Sequence, residues 1–176
     1  AINPTRAIAR PRRPMHLAYW AQDRSVAWGG RVSLGLGTQV KAHITRRFGS
    51  TWDSPVGQLR EWVLAIRAIQ HSWSTGEPLV FEGRWTQHTY CPPLFVPPAA
   101  PAAPILLGAI GPRMTRLAVE VADGLLVHPF NTARSLAVTL EGVPEHFPVI
   151  GQAVVAVATH EPDLDQARTT FRPLLA

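Results

Sequence analysis

Along the chain, short apolar runs alternate with longer stretches in which apolar residues recur every three or four positions. That alternation predicts strand-then-helix units and a parallel sheet. The segment Arg31 to Gly37 reads as a strand that ends in glycines. Asp53 and Ser54 are candidate caps for a helix opening at Pro55, with Val56, Leu59, Val63, Ile66 and Ile69 on its apolar face and an end near Ser74 to Gly76. Further on, Ile105 to Ile110 predicts a strand, Gly111-Pro112 a turn, Arg113 to Ala122 a helix that stops at Ala122-Asp123-Gly124, and Gly124 to His128 the next strand. The remaining signal is weaker. It predicts a strand tail at Ala7 to Ala9, a helix over Met15 to Val26, a short helix over Arg134 to Leu140, a buried strand over Val149 to Val157 and a last helix over Glu161 to Leu175.

The stretch from Glu77 to Pro104 breaks the alternation. Phe81-Glu-Gly-Arg-Trp85 suggests a small hairpin, and the prolines from Pro92 to Pro104 forbid regular helix, because each removes a backbone donor and fixes φ. Residues 77–104 are therefore expected to be an insertion within one domain spanning residues 1–176. The inventory amounts to roughly five strand-helix units, where a closed barrel of eight takes about 250 residues. The expected class is α/β, of the (β/α)8 barrel type in partial form, with an open doubly wound sheet as the alternative. The chain also starts in what reads as the middle of a unit, so a fragment of a longer barrel is the expectation.

Composition narrows the function classes. With 46% hydrophobic and 16% charged residues the chain has the make-up of a globular domain able to bury a core. The single cysteine, Cys91, excludes an internal disulfide framework, leaves too few thiolates for a zinc site and points to a reducing, cytoplasmic setting. No apolar run approaches the roughly 20 residues of a membrane helix, and Pro4, Arg6, Arg10 and Pro11 break up the N-terminal stretch. The formal charge of +5 invites a nucleic-acid reading, but the arginines cluster only at Arg10, Arg12 and Arg13 and at Arg46 and Arg47. A solvated face accounts for the rest, and positive charge can equally draw in a small anionic cofactor.

Three motifs carry candidate chemistry. Gly35-Leu-Gly-Thr-Gln39 lies at the carboxyl end of a strand, where α/β folds build their ligand sites and where glycine lets backbone approach a flat ring. Gly108-Ala-Ile-Gly111-Pro-Arg113 joins a strand end to a helix N-terminus, whose unpaired N–H groups and partial positive charge suit a phosphate, with Arg113 as an added cation. His128-Pro-Phe130 closes the following strand at the same end. Each motif has a plainer explanation, respectively a tight turn, an ordinary strand-helix turn and a packed histidine. The other histidines have no metal-ligand spacing, and no Ser-His-Asp or paired-carboxylate arrangement emerges.

The motifs taken in order resemble a known family. Gly30-Arg-Val-Ser-Leu-Gly-Leu-Gly-Thr-Gln-Val-Lys-Ala-His43, Leu59-Arg-Glu-Trp-Val-Leu-Ala-Ile-Arg-Ala-Ile69, Phe81-Glu-Gly-Arg-Trp85, Gly111-Pro-Arg-Met-Thr-Arg-Leu-Ala118 and Val121-Ala-Asp-Gly-Leu-Leu-Val-His-Pro-Phe130 are similar to the luciferase-like monooxygenase superfamily, and within it to the branch assigned to the deazaflavin coenzyme F420. The resemblance runs from about Ala7 to Leu175. It implies a barrel of the triosephosphate-isomerase type, of which these residues supply roughly the third to seventh strands. It also implies coenzyme F420, or alternatively FMN, with the ring over the strand ends and the phosphate near Gly111, Pro112 and Arg113. Gly37, Thr38 and Gly108 are the further cofactor-binding candidates, and His128 lines the pocket. The implied activity is flavin- or deazaflavin-dependent oxidoreduction of a small organic substrate by hydride transfer or oxygen activation. The alternative is a non-catalytic remnant that needs a partner chain to complete the barrel. A small-molecule substrate is the expected partner, with a homodimer as the candidate assembly.

Overall fold

A computed structural model describes residues 5–153 together with 160, 165, 166 and 169. In chain order the strands are β1 (Thr5–Ile8), β2 (Leu34–Gly37), β3 (Phe81–Glu82), β4 (Gln87–His88), β5 (Ile105–Gly108), β6 (Gly124–Leu126) and β7 (Val149–Ile150). The helices are α1 (Pro14–Ala27), α2 (Pro55–Thr75), α3 (Pro112–Val121) and α4 (Ala133–Leu140). Five strands form one parallel sheet in the order β1-β2-β5-β6-β7, and β3 pairs with β4 as the separate antiparallel hairpin expected within residues 77–104.

The strand order decides between the two α/β alternatives. A doubly wound sheet reverses direction at a switch point, whereas a barrel adds every strand on the same side. Here the sheet grows in chain order without reversal, and α1 packs on α2, α2 on α3 and α3 on α4 in the same sequence. The molecule is a barrel-type α/β sheet of five strands among the described residues.

The apolar stripe of α2 is the clearest case of a helix face turned into the core. Leu59, Trp62, Val63, Ile66 and Ile69 of α2 are buried against Leu34, Leu36, Ile105 and Leu107, as the helical spacing predicts. The caps assigned to that helix are a correction. Ser54 adopts a left-handed conformation with φ +35° and makes no side-chain cap, and the Asp53 carboxylate is engaged by the Trp85 indole N–H at 3.1 Å and by Arg84 at 3.5 Å. A tertiary contact has outcompeted the local one. At the other end Gly76, with φ +76°, terminates the helix as expected. The strand over Arg31 to Gly37 is shorter than predicted because Arg31 still belongs to the turn leaving α1, its N–H donating to the Trp28 carbonyl. Of the expected strand Val149 to Val157, Val149–Ile150 is β7, and residues 154–157 lie outside the described ones, as does most of the expected helix Glu161 to Leu175.

The segment 77–104 is fastened by polar side chains rather than by a core of its own. Glu61, buried on α2, accepts backbone N–H bonds from Arg84 at 2.8 Å and from Trp85 and Thr86 at 2.7 Å each, so one carboxylate holds the whole hairpin turn. Gly83 is required there, since a Cβ would stand 2.3 Å from the Glu61 carboxyl carbon. The proline segment has few donors but intact carbonyls, and α1 supplies the donors: Gln22 to Pro98 and Ala100, and Ser25 to Pro101 at 2.6 Å. Asp123 explains its own place after α3, accepting from the Ile105 N–H at 2.7 Å and pairing with Arg67 at 2.9 Å.

Candidate functional site

The carboxyl ends of all five parallel strands open on a cavity of about 670 Å³. β1 contributes Ala7 and Ile8, β2 and its loop run from Leu36 through Gly37, Thr38 and Gln39 to Val40, and β5 supplies Gly108, Ala109 and Ile110. Leu126, Val127 and His128 follow from β6, Met114 from α3, and Gln152 from the end of β7. None of these wall residues is an Asp, Glu, Lys or Arg, and His128 is the one histidine among them. An apolar concavity with a few polar groups is the usual form of a cofactor site.

The glycines show what the walls leave room for. Gly30, Gly83 and Gly124 are demanded by the chain itself, since a Cβ at each would come within 3 Å of a neighbouring atom. Gly29, Gly49, Gly76 and Gly142 hold positive φ in turns. Gly37, Gly108 and Gly151 have neither reason: their φ angles are not positive, a Cβ at Gly37 or Gly151 would meet nothing within 4 Å, and at Gly108 only the Leu36 carbonyl at 3.7 Å. All three stand at carboxyl ends of strands, in β2, in β5 and just after β7. Gly37 and Gly108 line the cavity, and the space they keep open there is not filled by the protein, which leaves room for a flat ring system.

Of the residues singled out in the sequence, Gly37, Thr38, Gly108 and His128 meet in this cavity. Gly111, Pro112 and Arg113 do not line it. They begin α3 between two residues that do, Ile110 and Met114. Gly111 has φ +148°, which a side chain would strain, and α3 has no side-chain cap and no acidic residue in its first turn. The N–H groups of Met114 and Thr115 both return to the Gly111 carbonyl, at 3.1 and 3.0 Å, so the backbone N–H groups of Gly111 and Arg113 have no partner among the described residues. Arg113 itself is exposed. The arrangement can take an anion beside the cavity mouth.

His128 is held on its own loop. Its Nδ1 accepts the Phe130 backbone N–H at 3.2 Å, its carbonyl accepts from the Asn131 amide at 2.9 Å, and the two rings of His128 and Phe130 meet edge to face at 5.2 Å. Sequence reading missed Gln152, which donates to the Val127 carbonyl at 3.3 Å, and within the Gly35 to Gln39 motif it missed that Gln39 takes φ +60° at the cavity wall. The position of Gln152 two residues after a strand was the one available signal; nothing in the sequence marks the backbone of Gln39.

A second cleft of about 460 Å³ lies under the hairpin, between Arg13 and residues 83–88. Burial pushes the His88 imidazole below the ordinary histidine value and Arg13 pushes it further, while Thr86 Oγ1 stands 2.8 Å from its Nε2. Arg10, at the end of β1, is also buried, and its guanidinium donates to the carbonyls of Thr51 and Asp53, tying down the segment that precedes α2.

Comparison with known proteins gives this geometry a lineage. The family described as luciferase-like monooxygenase matches residues 7–174. An uncharacterised protein of Mycobacterium tuberculosis, Rv1360, is 35% identical over 183 residues, covering 97% of this chain and 54% of the relative. The 5,10-methylenetetrahydromethanopterin reductase of Archaeoglobus fulgidus is 30% identical over 155 residues, covering 84% and 44%. Among solved structures, EDTA monooxygenase from Chelativorans sp. BNC1 superposes with a TM-score of 0.68 at 16% identity, over 96% of this chain and 47% of that one. The oxygenating constituent of 3,6-diketocamphane monooxygenase from Pseudomonas putida, in complex with FMN, gives 0.57 at 22% identity, over 74% and 39%. An F420-dependent secondary alcohol dehydrogenase, in complex with an F420-acetone adduct, gives 0.53 at 20% identity, over 68% and 36%. The chain thus spans about half the length of the curated relatives it matches. With the profile matching nearly its whole length and the barrel-type strand order beside it, the chain belongs to the luciferase-like monooxygenase family.

Proposed function

We propose that the strand-end cavity receives the ring of coenzyme F420, with FMN as the alternative, and that the chain serves oxidoreduction of a small organic substrate. The observation that carries this reading is the pair of strand-end glycines Gly37 and Gly108, whose open space in the cavity the protein does not use. Family membership supports the redox class, the motif order supports the deazaflavin, and solved neighbours with either cofactor keep both in play.

When bound, such a ring supplies the redox chemistry, taking or giving a hydride or, once reduced, activating oxygen. The chain's residues do the rest. Gly37 and Gly108 let the backbone come close to the ring, Thr38 offers a hydroxyl beside it, and the apolar walls from Ile8, Leu36, Ala109 and Leu126 exclude water from the reacting face. The free N–H groups of Gly111 and Arg113, the partial charge of α3 and the Arg113 guanidinium hold the anionic end of the cofactor, with Pro112 presetting the first turn. His128 lines the pocket. In this reading residues 1–176 work as one barrel unit with 77–104 as an insertion, in a reducing cytoplasm. The second reading, a non-catalytic remnant completed by a partner chain, is favoured by β1 and β7 pairing on one side only among the described residues.

Titration of the chain with oxidised F420 and, in parallel, with FMN, followed by ring fluorescence, tests the proposal. Saturable binding in the micromolar range is expected. Gly111→Asp should lower affinity about a hundredfold by placing bulk and negative charge at the helix N-terminus, and the exposed Arg113→Ala about tenfold. Unchanged affinity in both variants sinks the phosphate assignment. Absence of binding by a folded chain favours the remnant.

A further inference from the structure

We propose that His128 serves as a fixed, uncharged N–H donor for a substrate oxygen, so that the substrate is an uncharged, largely apolar molecule carrying a carbonyl or hydroxyl group. The inference rests on the reading of the cavity as the reaction site.

Two observations carry it. The first is the hydrogen bond from the Phe130 backbone N–H to His128 Nδ1 at 3.2 Å. A backbone N–H can only donate, so Nδ1 must keep its lone pair, and in the neutral ring the proton sits on Nε2. The Asn131 bond to the His128 carbonyl and the edge contact with Phe130 hold the ring in that setting, and Nε2 has no partner among the described residues. A neutral histidine whose Nδ1 is occupied by a backbone donor polarises an oxygen without giving up its proton, a role histidine fills in other barrel enzymes. The second is the make-up of the walls, where no carboxylate, ammonium or guanidinium faces the cavity from the described strand ends. A charged substrate group would find no counter-ion on those walls, the α3 N-terminus and Arg113 at the mouth being assigned to the anionic end of the cofactor, whereas an oxygen acceptor finds an N–H donor. Of the polar neighbours, the Gln152 amide already donates to the Val127 carbonyl at 3.3 Å, whereas the His128 ring takes a hydrogen bond from the described residues only at Nδ1, which leaves its Nε2 side for a ligand.

The test uses the whole chain labelled with 15N-histidine. Long-range proton–nitrogen correlation at about pH 8, above the ordinary histidine value, is expected to show His128 as the Nε2–H tautomer. Cyclohexanone should shift its Nε2 signal saturably while cyclohexane, with the same bulk and no acceptor, should not. His128→Gln, which can place an amide N–H near the Nε2 position, should retain ketone affinity, and the shorter His128→Asn should lose roughly three- to tenfold. An Nδ1–H tautomer, equal response to the ketone and the hydrocarbon, or equal loss in the two variants would overturn the inference. Fluorescence titration with oxidised F420 on the same samples separates the two claims. Cofactor binding without the ketone response removes the His128 role alone, and the ketone response without cofactor binding removes the proposed cofactor alone.

Discussion

The two clefts of this molecule divide its chemistry in opposite ways. The cleft under the hairpin is rich in charge, with Arg13, Arg84, His88 and the Glu61 carboxylate close by, yet nearly every one of these groups is spent on the protein's own structure. The strand-end cavity has no charged wall residue among the described strands, yet it holds the glycines and the histidine that the fold does not consume. Ionised side chains in a small domain are drawn to unsatisfied backbone groups, and what a cofactor site offers is instead the absence of side chains where a ring must lie.

Removing the Glu61 carboxylate is the harshest way to break this comparison. Glu61→Ala leaves three backbone N–H groups of the hairpin turn unpaired in a buried setting, at a cost of about 3 kcal/mol or more. Urea denaturation should report that loss. Glu61→Gln should cost less, because Oε1 serves two of the three donors and the amide oxygen can stand in its place. If Glu61→Ala is as stable as the parent, the hairpin is not held in the way described.

The glycines sharpen the contrast at smaller cost. Gly124→Ala pushes a methyl group to 2.8 Å from Leu106 and 2.9 Å from the Pro148 carbonyl, and should destabilise by about 1–3 kcal/mol. Gly37→Ala meets nothing within 4 Å and should leave the denaturation midpoint within about 0.5 kcal/mol of the parent while lowering cofactor affinity about tenfold. The reverse pattern, with Gly37→Ala unfolding the chain and Gly124→Ala silent, would show that the sorting of glycines by free space is wrong.

The same contrast marks how far the sequence could be read. The elements whose identity depends on local pattern were legible: α2 from its apolar stripe and Pro55, α3 from Gly111-Pro112, and the hairpin from its position before the proline run. The strand-end location of Gly37, Gly108 and His128 was legible too, because it follows from which end of a strand a loop leaves. Three features were not. Asp53 reads as a cap but bonds Trp85, 32 residues away, and Glu61 reads as one more polar position on a helix face while it pins a turn 23 to 25 residues on. Gln39 takes a left-handed backbone that no side-chain pattern announces. For Asp53 and Glu61 a distant partner sets the outcome, and local propensity has no access to it.

The smallest predicted effect concerns pH and again sets one cleft against the other. Burial, with Arg13 adding to it, places the folded-state value of His88 below the ordinary histidine value of about 6.5 that it regains on unfolding. Between those two values the unfolded chain binds a proton that the folded chain does not. The contribution of neutral His88 to stability is therefore complete above about pH 6.5 and declines as pH falls through the folded value. His88→Gln removes this dependence, so the gap between the parent and the variant in urea midpoint should be wider at about pH 7.5 than at about pH 5. Arg13→Gln, by withdrawing the nearby positive charge, should leave His88 easier to protonate and flatten part of the same slope. His128→Gln, at the other cleft, supplies the control for losing a histidine outside the hairpin. Parallel pH profiles for the parent and His88→Gln would mean that the imidazole under the hairpin is as wet as it is in the unfolded chain, and the hairpin cleft would then be a solvated surface rather than a packed polar joint.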